Sequence, residues 1–310
     1  MATHTSSSHR AAGRSHPARL GLRKLAAGLG IAVIALLQTS AAPARTVPAS
    51  GPVRFLDRGG PVLSAAQIHL LYLGSPWRNA GISVPKPIEI TAAFRTVLTG
   101  PYLSGLAQYR HIRPAVLASS TVVTTSDPPR GFDDEDVRGL LDAQLDAGAA
   151  PAPEPDQPTL YLVVLPVGVT SGGDSSGLLG EHNYFTRHGQ RIHFAWIANS
   201  SRLDRTTWVL SHELVESLTD PEGNAIVGVS GTCQQGGWCE IADICHGTRV
   251  VNGVAVWPYW SERAGSCVTP DRASTIGQPQ RRAPRAASTS RVCPTSPGRA
   301  TSHRPIDWCE

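Results

Sequence analysis

The chain has 310 residues, 41% of them apolar and seven of them Trp, which is enough to build one large domain or two small ones around a core. Its net charge of +4 is unevenly placed: residues 1–45 carry six basic and no acidic side chains, 271–310 carry seven Arg against three acids, and 46–270 hold 15 basic and 21 acidic residues. An acidic central region argues against nucleic acid as its partner.

Residues 1–44 read as an export signal. A basic region ends at Arg23-Lys24, the uncharged run 25–37 (LAAGLGIAVIALL) follows, and Ala42-Pro43-Ala44 offers a cleavage site. The run is too short for a comfortable membrane span. The mature protein is therefore expected to be secreted and extracellular, with no stable membrane span after cleavage; an uncleaved N-terminal anchor is the competing reading. Residues 45–64, rich in Pro, Gly and Arg, read as a linker, and a folded domain is expected over 65–270.

Within that domain, 67–74 (QIHLLYLG) reads as a strand. A helix is expected over 87–99, with Pro87 at its first position, followed by Gly100-Pro101 and a second short helical turn. The β-branched stretch 119–127 favours a strand ended by Pro-Pro. Residues 132–148 form a helix in which acidic side chains crowd the first turn, Val137, Leu140, Leu141 and Leu145 give an apolar face, and Gly148 ends it. A helix start accounts for that acidic cluster more simply than a cation site does. The Pro-rich stretch 151–158 links to 159–166 (TLYLVVLP), an apolar run suited to a central strand buried on both faces. Residues 171–180 form a Gly-Ser loop without the Gly-Lys-Ser/Thr ending that cradles phosphate, which excludes nucleotide binding there. Residues 192–200 (IHFAWIANS) read as a strand; Asn199-Ser200-Ser201 is a glycosylation acceptor only in a eukaryotic secretory pathway. From 271 to 310 apolar residues nearly vanish, so this stretch reads as a disordered basic tail.

Residues 206–219 (TTWVLSHELVESLT) carry the chemistry. Leu210, Leu214 and Leu218 line one face of a helix, and Trp208, His212 and Glu216 another, each set four residues apart. Asp204 or Thr206 is suited to cap the start, and Pro221 with Gly223 ends it. His212 and Glu216 are one turn apart and can share an ion, while Glu213 projects about 100° away on a helix and can sit beside that ion as a general base. This is the logic of the H-E-x-x-H zinc helix with Glu as its second ligand. A catalytic zinc needs a third protein ligand. Glu240 and Asp243 in 239–245 (CEIADIC), or His182 in 180–185 (GEHNYF), offer one. A calcium reading uses Asp220, Glu222 and Asn224, but the bidentate Glu that such a loop needs later is absent at that spacing. Six cysteines, Cys233, Cys239, Cys245, Cys267, Cys293 and Cys309, fit an oxidising compartment, and no C-x-x-C pair supports a thiolate zinc site.

Six stretches recur in this order in a known family: PYLSGLAQY (101–109), GEHNYF (180–185), FAWIANS (194–200), SHELVESLTDP (211–221), EIADIC (240–245) and WSERAGSCV (260–268). Over roughly 65–268 the chain resembles the Exordium or phosphate-induced family of plants, and more closely its exported bacterial relatives. The resemblance implies an extracellular protein without an established biochemical activity, and the motif helix looks like that of zinc peptidases, a fold-level analogy. Two departures stand out. Relatives tend to carry a cysteine shortly before the histidine of GEHNYF, where this chain has GLLGEH, and the chain adds VSGTCQQGGWC before Glu240. Set against the family, Cys233 with Cys239 closes that insert, Cys245 pairs with Cys267, and Cys293 and Cys309 remain for the tail.

The expected architecture is α+β: a single domain with a mixed sheet (strands near 67–74, 119–124, 159–166 and 192–198) packed against helices at 87–99, 134–147 and 206–219. Two functions fit. One is a secreted zinc-dependent hydrolase acting on peptides, with His212 and Glu216 as ligands, Asp243 or Glu240 completing the set, Glu213 as base, and His182 as a ligand or an oxyanion stabiliser. The other is a non-catalytic extracellular module that binds cell-wall polymer or protein and uses the same residues as a structural metal site; Trp238, Trp257, Tyr259 and Trp260 could then offer a sugar-stacking face, although core packing is the more common use of such residues.

Overall fold

A computed structural model describes residues 53–78, 85–175, 177–229 and 239–271. All of them belong to one compact unit. The segment read as an export signal, Cys233, Trp238 and the stretch with Cys293 and Cys309 lie outside the described residues. No helix among the described residues is long and apolar enough to cross a membrane.

In chain order the elements are β1 (Phe55–Asp57), β2 (Gln67–Leu73), α1 (Pro87–Thr99), β3 (Val116–Val123), β4 (Gly131–Phe132), α2 (Asp134–Asp146), β5 (Thr159–Val164), β6 (Thr170–Ser171), β7 (Gly180–Arg187), β8 (Gln190–Ile197) and α3 (Leu203–Thr219). Short strands follow: β9 (Ile226–Gly228), β10 (Arg249–Val251), β11 (Val254–Val256), β12 (Tyr259–Ser261) and β13 (Ser266–Val268). A short 3-10 helix, Tyr102–Gln108, follows α1, where the second helical turn was expected.

The main sheet has the order β3-β2-β5-β8-β7. Its first four strands run parallel, and β7 pairs antiparallel with β8 at one edge. This mixed sheet with its helices is an α+β architecture, as the sequence led us to expect. Successive strand residues point to opposite faces, and both faces are covered. On one, Ile90 and Phe94 of α1 and Leu210, Leu214 and Leu218 of α3 pack on Ile68, Leu70 and Leu162. On the other, Val137, Leu141 and Leu145 of α2 pack on Leu71, Tyr161, Val163 and Trp196. Every residue of β5 is buried, which is why its sequence is a continuous apolar run rather than an alternation.

The helix starts follow local chemistry. Pro87 opens α1, and the Lys86 backbone N–H donates to Glu89 Oε2 at 2.7 Å. At α2 the Asp136 N–H donates to Asp133 Oδ1 (3.0 Å) and the Asp133 N–H to Asp136 Oδ2 (3.1 Å), a reciprocal cap that accounts for much of the acidic cluster. Three details differ from expectation. The third helix begins at Leu203, with Arg202 rather than Asp204 or Thr206 at its cap; the Thr206 hydroxyl donates instead to the Arg202 carbonyl and to Asn199 Oδ1. That contact buries Asn199, the residue of the glycosylation pattern. The β3 strand starts at Val116, earlier than its β-branched core suggests. Within the stretch read as linker, β1 pairs with β9 and Leu63 is buried, because a three-residue pairing carries too short a pattern to stand out in a Pro/Gly-rich context.

Asp134, the first residue of α2, accepts from Asn183 Nδ2 at 3.1 Å. Burial, and then the charge of Glu181, push its carboxyl up to about 6. A raised acid favours folding fully below its ordinary value of 3.8, and that contribution is lost as pH rises through about 6. Asp134→Asn should therefore stabilise the protein at pH 8 but not at pH 4, by roughly 1 kcal/mol after discounting for partial exposure. Urea unfolding at both pH values checks this; an equal change at both would show that the charge is not the cause.

Candidate metal centre

Three parts of the chain converge beside the edge strand β7. The third helix supplies His212, Glu213 and Glu216, and Asp220 follows at its C-terminal cap. The edge strand supplies His182. The segment after residue 238 supplies Glu240 and Asp243. Gly180 makes the approach of β7 to α3 close: a Cβ there would lie 2.5 Å from Glu213 Oε1 and 2.8 Å from Val209 Cγ1. Glu213 therefore packs under the strand only because residue 180 lacks a side chain.

His212 Nε2 lies 3.0 Å from Glu216 Oε2 and 3.6 Å from Asp243 Oδ1. Its ring meets Trp257 edge-on with centroids 4.5 Å apart, and Trp257 stacks on Trp208 at 3.9 Å. Trp257 Nε1 donates to the carbonyls of Ala242 (3.0 Å) and Cys245 (2.6 Å), so one indole fixes both His212 and the segment carrying Asp243. His182 occupies the inner side. Its Nδ1 lies 3.6 Å from Glu213 Oε2 and 3.9 Å from Glu216 Oε2, and its Nε2 lies 3.4 Å from Glu240 Oε1 and 3.2 Å from the Asp220 carbonyl. Two ligand groups result, His212–Glu216–Asp243 and His182–Glu216–Glu240, and Glu216 belongs to both.

His182, His212, Glu213, Glu216, Glu240 and Asp243, singled out in the sequence for the metal helix, thus meet in one cluster, with Asp243 on the His212 side and Glu240 on the His182 side. The alternating acids of 220–224 do not converge. Asp220 Oδ1 accepts from the Ala225 N–H at 2.6 Å, while Glu222 pairs with His193 at 3.0 Å and Arg191 at 3.5 Å, so the calcium-loop arrangement is not formed there. Asp220 was not read as part of the cluster. The signal was present: His212, Glu216 and Asp220 continue one four-residue spacing.

The cluster is electrostatically unbalanced, with five carboxylates to two imidazoles. Burial, together with the charges of Glu240 and Asp243, raises Glu216 above the ordinary carboxylate range, even against the opposing pull of His212. Burial likewise raises Glu240 and Asp243. Burial disfavours the charged form of His212, but Glu216 outweighs it and holds the imidazole up at about 9. Glu216 Oε1, Glu240 Oε1 and Asp220 Oδ2 are buried and make no hydrogen bond. Buried, ionisable oxygens without partners beside imidazole nitrogens are the donor set that a divalent cation satisfies. The residues present therefore fit a metal. One feature of many such sites is missing: His212 Nδ1 is buried and has no hydrogen-bond acceptor to orient the ring. Packing on Trp257 does that instead.

A disulfide joins Cys245 to Cys267 of β13, the pairing that the family resemblance implied. Cys239 is also disulfide-bonded; its expected partner Cys233 lies outside the described residues. The Cys245–Cys267 bridge spans 22 residues, so replacing both cysteines by Ser should cost about 3 kcal/mol by loop-closure entropy. Chemical denaturation would read the loss, and a change below about 1 kcal/mol would mean that the denatured chain is constrained by something else.

The fold and the cluster define an α+β protein with a buried histidine–carboxylate centre between a sheet edge and the last long helix. Compared with known protein families, curated proteins and solved structures, the chain matches none.

Proposed function

We propose that the protein is a secreted, metal-dependent hydrolase acting on peptide bonds, with zinc held by His212, Glu216 and Asp243. One observation carries this reading. The separations of 3.0 and 3.6 Å from His212 Nε2 to the two carboxylate oxygens bracket the spacing between ligands of a tetrahedral zinc, which is about 3.3 Å for bonds of about 2.0–2.1 Å. Three protein ligands leave a fourth position for water, and the Asp243 side chain, 31% exposed, gives that position a route to solvent.

Zinc, when bound, supplies a Lewis acid that polarises a carbonyl and acidifies a water. Glu213 stands outside both ligand groups and takes the proton. His182, 3.6 Å from Glu213, orients that carboxylate. Beside His212 the partly exposed Trp208 and Trp257 stack on one another and would hold an apolar substrate side chain. The secretory setting and the kinship with Exordium-like proteins belong to the same proposal. A second reading is supported by the depth of Glu216 and Glu240, each 3% exposed: a closed structural metal site in a module that binds a cell-wall polymer or another protein.

The test is elemental analysis of the full chain produced through an exporting host, beside His212→Ala. The expected result is bound zinc that falls by at least one equivalent in the variant, with cleavage of a mixed peptide library by the parent. Zinc without cleavage supports the structural module. A folded, disulfide-bonded protein without metal overturns both readings.

A further inference from the structure

We propose that the cluster is a dinuclear centre, with a second divalent cation held by His182 and Glu240 and bridged to the first through Glu216. This rests on the metal reading above and extends it. A ring nitrogen of His182 and carboxylate oxygens of Glu216 and Glu240 lie within 4.8 Å of one another, as do the ligand atoms of His212, Glu216 and Asp243. The two groups have only Glu216 in common; Asp243 is partly exposed and Glu240 buried, which makes the first the outer group and the second the inner one. A carboxylate has two oxygens, and Glu216 uses only Oε2 towards His212 and His182; its Oε1 is buried with no hydrogen bond.

A second observation points to the inner position independently. Glu240 is 3% exposed, and its Oε1 makes no hydrogen bond although it faces His182 at 3.4 Å. Asp220 Oδ2 nearby is in the same condition. A single cation at the outer group leaves these oxygens unsatisfied, and buried, unpaired charge is among the costliest features a fold can hold. Charge gives the same answer. With neutral imidazoles and five ionised carboxylates, one divalent ion leaves an excess of three negative charges, and a second reduces it to one. Carboxylate-bridged pairs of cations are an established way to clamp both oxygens of a hydrolytic displacement. Both sets offer one imidazole nitrogen and two carboxylate oxygens, donors that suit manganese as readily as zinc.

The competing arrangement puts a proton where the second cation would be, so that a charged His182 sits among Glu213, Glu216 and Glu240. Metal stoichiometry separates the two. The full chain, stripped with chelator, is titrated with Zn2+ and in parallel with Mn2+, and bound metal is counted by elemental analysis. Two equivalents are expected in the parent, one in His182→Ala, one in Glu240→Gln and one in His212→Ala. The Mn2+-loaded parent should also give the spin-coupled resonance of a bridged pair, which His182→Ala converts to that of an isolated ion. One equivalent in the parent, untouched by His182→Ala and Glu240→Gln but lost in His212→Ala, overturns the second site and leaves the mononuclear reading standing. No bound metal overturns both. If His182→Ala fails to fold by circular dichroism, Glu240→Gln alone carries the comparison, since it keeps the shape of the side chain.

Discussion

Replacing Glu213 by Gln should lower peptide hydrolysis by about 100- to 10,000-fold, the usual contribution of a positioned general base, while bound metal stays unchanged. Glu213 belongs to neither ligand group, yet it lies one residue from His212, and its charge acts on both His212 and Asp243. Gln has the same shape, so it keeps the packing beneath Gly180 and keeps an oxygen facing His182, but it cannot take a proton at neutral pH. The check pairs kcat/KM with elemental analysis on the same preparation. A fall in rate with full metal content identifies the base. Retained hydrolysis removes Glu213 from the chemistry and leaves it a packing residue at the strand–helix contact. Loss of metal together with rate would place it among the ligands.

Much of the fold was legible because its longest elements obey one local rule each. The first two long helices carry amphipathic spacing with caps written at their starts, and β5 is an apolar run of strand length. The edge strand β7 was not read, although its residues were picked out for their chemistry. Helices cover both of its faces, with His182 turned towards α3 and Asn183 towards Asp134 of α2, so polar and aromatic residues succeed one another without a period of two. Its turn was readable. His188-Gly189, both at positive φ, form a two-residue hairpin between paired Arg187 and Gln190. Asn252-Gly253 likewise joins β10 to β11 and is the strongest short-range hairpin signal in the chain.

The cluster was legible in membership but not in arrangement. Spacing on α3 fixes that His212 and Glu216 share a face. It cannot say which of Glu240 and Asp243 reaches His212, because that depends on how the 239–245 segment lies. Trp257 and the Cys245–Cys267 bridge decide it, from contacts twelve to twenty-two residues away in sequence. Nor can spacing show that His182 stands inside the cluster, since the contact between β7 and α3 is a tertiary one, set by how the helix packs on the sheet edge.

Glu216 is the residue on which the whole centre turns, and its replacement should separate metal binding from folding. Glu216→Gln is expected to lose all bound metal, because both ligand groups need its carboxylate. The same change should leave the metal-free protein as stable as the parent, or more so. In the absence of a cation Glu216 is a buried acid beside Glu240 and Asp243 as well as His212; an amide of the same shape removes the repulsion, still accepts a hydrogen bond from a neutral His212, and opens no cavity. Thermal unfolding with and without added zinc tests both halves at once. For the parent, zinc at about 1,000 times its dissociation constant should add about 4 kcal/mol, a rise in midpoint of several degrees for a domain of this size. The variant should melt at the same temperature with zinc as with chelator. If it instead unfolds well below the chelated parent, Glu216 supports the fold through His212 and His182 directly, and the cluster is a buried ion-pair network rather than a site built to be filled. If zinc still stabilises it, the remaining residues, His212 with Asp243 or His182 with Glu240, hold an ion without a shared carboxylate, and the bridge is disproved while a metal site survives.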